Sequence, residues 1–387
     1  MDFHIFTTFT IVITGFVLSI SSQRDSLQIR KALRIRNALR IRKAYLYFLW
    51  VLLVFESGSR GLSVGDDTLG YFDSFQKINK VSWAEILQGF KFGQGYEYRD
   101  PGYNLFQKIF QILSSDYRIY LYFIAILFFT SLIYFLYTNT YKLYELILAA
   151  TLYCALFYPF FSITGIRQTI TTSVALYCTK FIREKKIFKF AIPIILVSSI
   201  HTSVLVFLPF YYLSNIKNIK HNLALALLLF PVIMLFRNDM AVIFATGTVY
   251  ENYLSDMPGK GTLTFTSLIL VIIAGSYLYI DQMHRVYRNY NIYYNAMIMA
   301  LIFVPLTWEN SNAMRVVQYF SIYMMVFIPK IIEVATSYSV KLKRVAYLFC
   351  ILVLIYLIFN TSRPYIFFWN ETSNLDFKQP LIERYQE

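Results

Sequence analysis

The chain has 387 residues, of which 57% are hydrophobic and 15% are charged, and its mean hydropathy is +0.50. Soluble proteins carry about a quarter charged residues, so this composition excludes an ordinary soluble domain and predicts one polytopic membrane domain over residues 1–387. The formal net charge of +14 needs no nucleic-acid partner, because Lys and Arg accumulate in the cytoplasmic loops of membrane proteins.

The N-terminal part predicts two membrane crossings joined by a basic linker. Residues 5–20 form an apolar run that no positive charge precedes and a dense basic block follows, which places the N-terminus outside the cell. The block, residues 24–43, repeats six residues at a time from Ile29 onward. A six-residue period builds no single apolar stripe on a helix, so we interpret the block as a solvated cytoplasmic linker that touches anionic lipid headgroups. Residues 44–55 return the chain to the outside.

Residues 57–116 form the longest hydrophilic stretch and are predicted to be an external loop. A short surface helix is predicted within it at residues 83–90. Loops longer than about 12–15 residues that have no structure of their own are usually functional. The polar residues around Asp67 and around Asp100 therefore become candidates for a site.

The rest of the chain is predicted to cross the membrane eight more times, which gives about ten crossings in an all-α membrane helix bundle. Connections rich in Lys and Arg are placed inside and the others outside, and the tail, residues 361–387, is placed outside. The eight predicted crossings are residues 117–137, 143–161, 169–182, 223–236, 263–280, 294–306, 316–334 and 345–359.

The apolar run at residues 190–213 is predicted to be a re-entrant hairpin and not a crossing. Basic residues flank it on both sides, and a single crossing would place Lys217, Lys220 and two later basic loops outside. A segment that enters and leaves on the same side removes all of these violations. His201 lies at its middle among serines and threonines, where the hairpin would turn. Two arms of about 12 residues reach roughly 18 Å each, so we expect His201 to lie deep or near the outer half of the membrane, surrounded by protein.

This topology gathers polar side chains on the external side. The set comprises Asp66, Asp67, Arg99, Asp100, Arg167, Gln168, Glu309 and Arg315, with His201 approaching from beneath. Arginines at the mouth of a membrane protein bind phosphate oxygens well, and carboxylates and a histidine supply candidate general bases. The sequence contains no Gly-rich phosphate loop, nucleophile elbow or zinc motif. The three cysteines are spaced for neither a metal nor a disulfide.

Each of these residues also has a structural explanation, which the sequence leaves open. Arg167 between two apolar runs also fits a helix end with a snorkelling side chain. Asp67 suits a helix cap, and Asp100 with the Pro and Gly after it suits a turn. A lone His201 amid serines suits a core histidine. The hypothesis of a site rests on their co-location, which depends on the hairpin.

The order of these residues resembles the EpsG family of membrane proteins, which belongs with the Wzy-type polysaccharide polymerases. The resemblance covers residues 57–330, and members often have Glu where this chain has Asp100. The basic repeat is no part of the family pattern. The residues that carry the resemblance are Gly65, Asp66, Asp67 and Thr68 with Tyr71 and Phe75; Asp100, Pro101, Gly102 and Tyr103; Gly165, Ile166, Arg167 and Gln168; Ile200, His201, Thr202 and Ser203; and Arg315 before Tyr319 and Phe320.

The resemblance implies a glycosyltransferase that joins polyprenyl-diphosphate-linked oligosaccharide units at the outer face of the bacterial cytoplasmic membrane. The product would be O-antigen, capsule or exopolysaccharide. The implied partners are the lipid-linked donor and acceptor, membrane lipids and a chain-length regulator. No cofactor, metal or nucleic acid is implied.

The resemblance also implies roles for most of the candidate residues. The implied diphosphate-binding residues are Arg167, Gln168, Arg315 and Arg99. The implied general bases are His201, Asp67 and Asp100, and the implied sugar-stacking residues are Tyr71 and Tyr103. Two alternatives remain, a flippase of the lipid-linked glycan and a membrane enzyme of another kind, such as a glycosyltransferase that uses a polyprenyl-phosphate sugar. A flippase predicts polar groups near the midplane and repeated halves, whereas only the substrate distinguishes the other glycosyltransferase.

Overall fold

The computed structural model describes residues 3–25, 31–65, 67–90, 100–239 and 262–371. Within these ranges every regular element is helical, apart from an isolated bridge between Arg60 and Phe367, which confirms the all-α fold. The first helices are α1 Phe3–Asp25, α2 Lys31–Gly58, α3 Thr68–Lys80, α4 Trp83–Gln88, α5 Pro101–Gln111, α6 Tyr117–Asn139, α7 Leu143–Leu156 and α8 Ile166–Arg183. The later ones are α9 Ile187–Ser198, α10 Phe210–Leu213, α11 Ile219–Leu235, α12 Thr262–Leu278, α13 Ile280–Val286, α14 Tyr290–Phe303, α15 Met314–Ser321, α16 Met324–Ala335 and α17 Val340–Thr361.

Several of these helices are long and apolar enough to span a membrane. Four qualify by length and composition, namely Phe3–Ile20, Tyr117–Asn139, Tyr290–Trp308 and Val340–Thr361. The count in the described ranges rises to six if each of two bent pairs is one span, α12 with α13 (76°) and α15 with α16 (44°). Other apolar helices, including α7, α9 and α11, are shorter than 18 residues. The count of about ten crossings therefore stays a prediction.

The described part of the basic repeat is helical, and within its residues 36–43 only Arg42 is buried. From Lys31 onward it is part of α2, which continues without a break into the apolar segment. Arg42, near the end of the repeat, is buried and donates to the carbonyl oxygen of Thr140 at 2.6 Å. Its guanidinium also lies over the ring of Tyr137, 4.9 Å from the centroid. Ala, Leu, Arg and Lys are all strong helix formers, and this propensity outweighs the absence of an apolar stripe.

The described residues of the predicted external loop, residues 57–116, are largely helical. The short helix predicted at residues 83–90 is confirmed as α4, while α3 and α5 were not predicted. Phe75 of α3 and Phe110 of α5 are buried in one cluster with Tyr117 and Tyr120 of α6. The two helices thus form because their apolar faces pack against the start of α6, a contact that local sequence does not reveal.

The segment at residues 190–213 doubles back, as predicted. The ring of Phe190 on the first arm, α9, lies 5.7 Å from that of Phe207 and 5.3 Å from that of Tyr211 on the second arm. The second arm consists of a 3-10 helix, Thr202–Phe207, followed by α10. These ring contacts place the two arms side by side with the turn at residues 199–201.

The hairpin as a whole begins and ends at the same end of the bundle. The side chains of Asn291 and Asn295, at the start of α14, donate to the carbonyl oxygens of Ser214 (2.7 Å) and Leu213 (2.8 Å). Arg183, which precedes the hairpin, donates to the Oδ1 atom of Asn139 at 3.2 Å. Tyr293 of α14 donates to the same atom at 2.6 Å. We call this the Asn139 end and the opposite one, where α8 begins, the Arg167 end.

The C-terminal tail begins at the Arg167 end. The amide of Phe368 donates to the carbonyl oxygen of Ser59 at 3.0 Å, and the amide of Gly61 donates to that of Ile366 at 2.8 Å. Ser57, just before them on α2, donates to the carbonyl oxygen of Ser162 at 2.7 Å, close to the start of α8. The first tail residues therefore lie at the same end of the bundle as the start of α8, and residues 372–387 lie outside the described ranges.

Candidate functional site

Arg167 is the second residue of α8, and the helical structure is interrupted just before this helix begins. A π-helical turn, Pro159–Thr164, leads into Gly165, after which α8 begins. The hydroxyl of Thr169 donates to the carbonyl oxygens of Phe161 (2.6 Å) and Gly165 (2.9 Å), which fixes the two segments to each other. The Arg167 side chain keeps 22% of its surface exposed. The guanidinium is therefore held firmly and remains reachable.

Asp100 forms an ion pair with Arg167. Asp100 directly precedes Pro101, the first residue of α5, and has a left-handed backbone conformation with φ of 56°. The Asp-Pro-Gly run is thus a helix start, which fits the preference of proline for the first helical position. The Asp100 side chain is only 6% exposed. A buried, charge-assisted contact of this kind orients the guanidinium.

Gly102 brings the start of α5 against the tip of the hairpin. Its amide donates to the carbonyl oxygen of Ser199 at 3.0 Å. A Cβ atom at this position would lie 2.1 Å from the Ser199 Oγ and 2.7 Å from the Ser199 carbonyl carbon. Glycine is the residue that permits such a close approach of two backbones. The turn that carries His201 therefore meets the segment that carries Asp100.

Tyr71 of α3 and Tyr103 of α5 flank Arg167. The guanidinium carbon lies 5.7 Å from the ring centroid of Tyr71 and 5.8 Å from that of Tyr103. The two rings contact each other edge to face, with centroids 5.9 Å apart. Burial raises the pKa of the Tyr103 phenol well above its ordinary value, so this side chain stays neutral. Both tyrosines thus stabilise the cation, and their stacking on sugars stays a prediction.

Gln168 connects the start of α8 to the start of α15. Its Nε2 atom donates to the carbonyl oxygen of Arg315 at 2.6 Å. The side chain of Gln168 is buried, and that of Arg315 is half-buried. This hydrogen bond therefore holds the backbone of Arg315 against Gln168, the residue that follows Arg167.

A cluster of three hydroxyl groups joins α8, the hairpin and α15. The hydroxyl of Tyr319 lies 2.8 Å from the Thr171 Oγ1 and 3.2 Å from the Ser203 Oγ. We call these residues the hydroxyl cluster. Thr171 and Tyr319 are both buried, so the three elements are held together in the interior of the bundle.

The hydroxyl cluster brings three predicted site residues to the same end. Its members on α8 and α15 lie four residues after Arg167 and Arg315, and residues four apart lie on one helix face. Its member on the hairpin lies two residues after His201, which is itself buried. Sequence analysis did not predict the hydroxyl cluster, although the spacing of four residues from Arg167 to Thr171 and from Arg315 to Tyr319 was visible in the sequence.

For the remaining predicted site residues the structure gives fewer contacts. Asp67 directly precedes α3, and its carbonyl oxygen accepts the amide of Tyr71 at 3.0 Å. The carboxylate of Glu309 lies 3.5 Å from the Nε atom of Arg237. Arg99 and Asp66 lie outside the described residues, so their predicted roles are not tested.

In the part of the chain that the structure describes, no group of three or more His, Cys, Asp or Glu side chains is placed to hold a metal ion. Cys154 and Cys178 are buried and Cys350 is partly buried, and all three are free thiols.

An all-helical bundle with several apolar spans and a guanidinium at one mouth defines a polytopic membrane protein. The chain belongs to the EpsG family, whose model matches residues 43–372 and whose members are membrane proteins of the Wzy-like polysaccharide polymerase type. No curated protein and no solved structure matches the chain. The matched segment begins at the end of the basic repeat, and membership supports a polysaccharide polymerase-like role in general.

Proposed function

We propose that this protein is a glycosyltransferase that polymerises polyprenyl-diphosphate-linked oligosaccharide repeat units at the outer face of the bacterial cytoplasmic membrane. Family membership supplies the general class. The observation that carries the proposal is the position of Arg167, which Asp100 and two tyrosine rings hold, partly exposed, at one mouth of the bundle. A fixed guanidinium suits a diphosphate better than a mobile one, because less side-chain freedom is lost on binding.

The proposed orientation follows from the distribution of basic residues. Lys and Arg concentrate in the connections at the Asn139 end, as cytoplasmic loops require. They include Lys142, Lys185, Lys186, Lys217, Lys220, Arg285, Arg288, Lys341 and Lys343. Because Arg167 lies at the opposite end, it would face the outside.

The proposed reaction is one displacement at the donor's first sugar. A hydroxyl oxygen of the acceptor unit attacks the anomeric carbon, the bond from that carbon to the diphosphate oxygen breaks, and the electron pair leaves with the diphosphate. Arg167, with Arg315 as the second candidate, would stabilise the charge on the departing diphosphate. The diphosphate is a good leaving group, so the step needs no nucleotide or redox cofactor.

The hydroxyl proton would pass to a general base near Arg167. The candidates are His201, on the tip of the hairpin, and Asp67, at the start of α3. Asp100 was also a candidate, but a carboxylate that is paired with a guanidinium is a weaker proton acceptor. We therefore assign Asp100 to the positioning of Arg167.

The proposal is tested with the full-length protein reconstituted in liposomes and supplied with lipid-linked repeat units extracted from a strain that lacks it. We expect a ladder of oligomers and the release of one polyprenyl diphosphate for each bond formed. Transfer of units across the bilayer without a ladder would instead indicate a flippase. Reaction only with a polyprenyl-monophosphate sugar would indicate the other glycosyltransferase, and either result contradicts the proposal.

A further inference from the structure

A cavity opens at the Asn139 end, on the opposite side of the bundle from Arg167. Its volume is about 380 Å³, whereas one water molecule in the liquid takes roughly 30 Å³. It lies between the α6–α7 connection, the end of α8, the α13–α14 connection and α16. Its ionisable lining residues are Lys142, Glu145, Arg183, Arg288, Lys330 and Glu333.

Lys330 is the most deeply buried cation in this lining, with 1% of its surface exposed. Its Nζ atom donates to the carbonyl oxygen of Asn139. The same atom lies 5.1 Å from the ring centroid of Tyr141, 4.8 Å from that of Tyr287 and 5.4 Å from that of Tyr293. The contacts with three aromatic faces partly offset the cost of burying this cation.

The carboxylates of the lining are already engaged with other groups. The Glu145 carboxylate accepts the backbone amide of Tyr141 at 2.7 Å, next to the start of α7. Glu333 forms ion pairs with Lys142 and, at 2.9 Å, with Lys343. Across the described ranges, none of the ion pairs within 4.0 Å includes Lys330, Arg183 or Arg288.

Arg183 likewise faces neutral acceptors. Its guanidinium donates to the Asn139 Oδ1 at 3.2 Å and to the Thr138 Oγ1 at 3.3 Å. The lining therefore holds four cations against two carboxylates. Of these cations Lys330 is buried and Arg183 is half-buried, whereas Lys142 and Arg288 are exposed. A buried charge is costly unless an opposite charge or strong hydrogen bonds compensate it, so an anion is favoured beside Lys330 and Arg183.

We propose that this cavity binds a phosphate group. A planar guanidinium beside an ammonium group is a donor set that suits phosphate oxygens. Basic pockets between membrane helices on the cytoplasmic side are known to hold anionic headgroups. The phosphate belongs either to an anionic lipid of the adjacent leaflet or to a soluble phosphorylated molecule. This inference does not depend on the proposed polymerase activity.

The test measures thermal unfolding of the purified full-length protein in neutral detergent. Short-chain phosphatidylglycerol, short-chain phosphatidylcholine and inorganic phosphate are titrated at constant ionic strength. Ligands that bind only the folded state raise the melting temperature, and the rise grows with the logarithm of the ligand concentration above the Kd. We expect phosphatidylglycerol to raise it and phosphatidylcholine to leave it unchanged. An equal rise with inorganic phosphate would identify a soluble phosphate as the source and would also support the site.

Variants locate the binding. Lys330→Gln removes one charged donor and should weaken the apparent affinity about ten-fold or more. Arg183→Gln, whose side chain is only half-buried, should do the same and decides the matter if Lys330→Gln does not fold. The control is Lys186→Gln, because Lys186 lies at the same end, pairs with Glu184 at 2.7 Å and is exposed. No shift in the wild type, or equal shifts in all three variants, would overturn the proposal.

Discussion

Arg167→Ala should abolish polymer while leaving single repeat units attached to their carrier. The substitution removes the guanidinium that would neutralise the departing diphosphate, and loss of one such donor typically slows a reaction by about 10²- to 10³-fold. Arg167→Lys keeps the charge but loses the planar fork, so it should retain only part of the activity. The measurement is the banding pattern of the surface glycan on a gel, together with the amount of protein in the membrane.

The matched control for this prediction is Arg118→Ala. Arg118 is another arginine at the Arg167 end. It is more exposed than Arg167 and lies over the ring of Phe368, 4.8 Å from the centroid. We expect Arg118→Ala to leave the polymer unchanged. Polymer of normal length from Arg167→Ala would contradict the proposed role. Loss of every surface glycan, with repeat units trapped inside the cell, would indicate a defect in translocation instead.

Gly102→Ala should cause the second large loss, although this residue touches no substrate in the proposed mechanism. The added Cβ would lie 2.7 Å from the backbone carbonyl carbon of Ser199, so the start of α5 and the hairpin tip must separate. Overpacking of this kind costs about 1–3 kcal/mol. It would also displace Asp100 from Arg167, so polymer formation should fall together with the melting temperature.

Gly70→Ala provides the matched control. Gly70 lies in α3, and a Cβ added there meets nothing within 4 Å. Because alanine is favoured over glycine inside a helix, this variant should be neutral or more stable by up to about 1 kcal/mol. A Gly102→Ala protein with wild-type melting temperature and polymer would show that the contact between α5 and the hairpin does not matter.

The doubling back of residues 190–213 was predictable because charge constrains topology. Basic residues such as Lys189 and Lys217 flank the apolar run on both sides, and the positive-inside rule then allows only an even number of passes. By contrast, α3 and α5 depend on contacts with Tyr117 and Tyr120. No local pattern in a polar stretch reports contacts of that kind.

The placement of three candidate residues at one end was predictable, but their pairing was not. The expectation that Arg167, Asp100 and Tyr103 lie at one end is met by the structure. The ion pair between Arg167 and Asp100 joins residues 67 positions apart, and neither sequence spacing nor composition indicates it. Gly102 was interpreted as part of a turn, whereas its role is to allow contact with Ser199.

The number of crossings depends on how broken helices are counted. The chain breaks several apolar runs with prolines and short irregular turns, as at Pro159 before α8 and at the bend between α15 and α16. A broken helix has the composition of a crossing without its length. Composition alone therefore counts such a segment as a crossing, whereas a requirement for helix length does not.

The central claim, that the hairpin places Arg167 outside and the connection after the hairpin inside, is tested most directly by labelling cysteines in intact cells. Lys217→Cys and Lys77→Cys, both at exposed positions, are introduced separately with Cys350 replaced by Ser, since Cys154 and Cys178 are buried. A membrane-impermeant maleimide should label Cys at position 77 in intact cells and Cys at position 217 only after the cells are opened. Labelling of position 217 in intact cells would contradict the account.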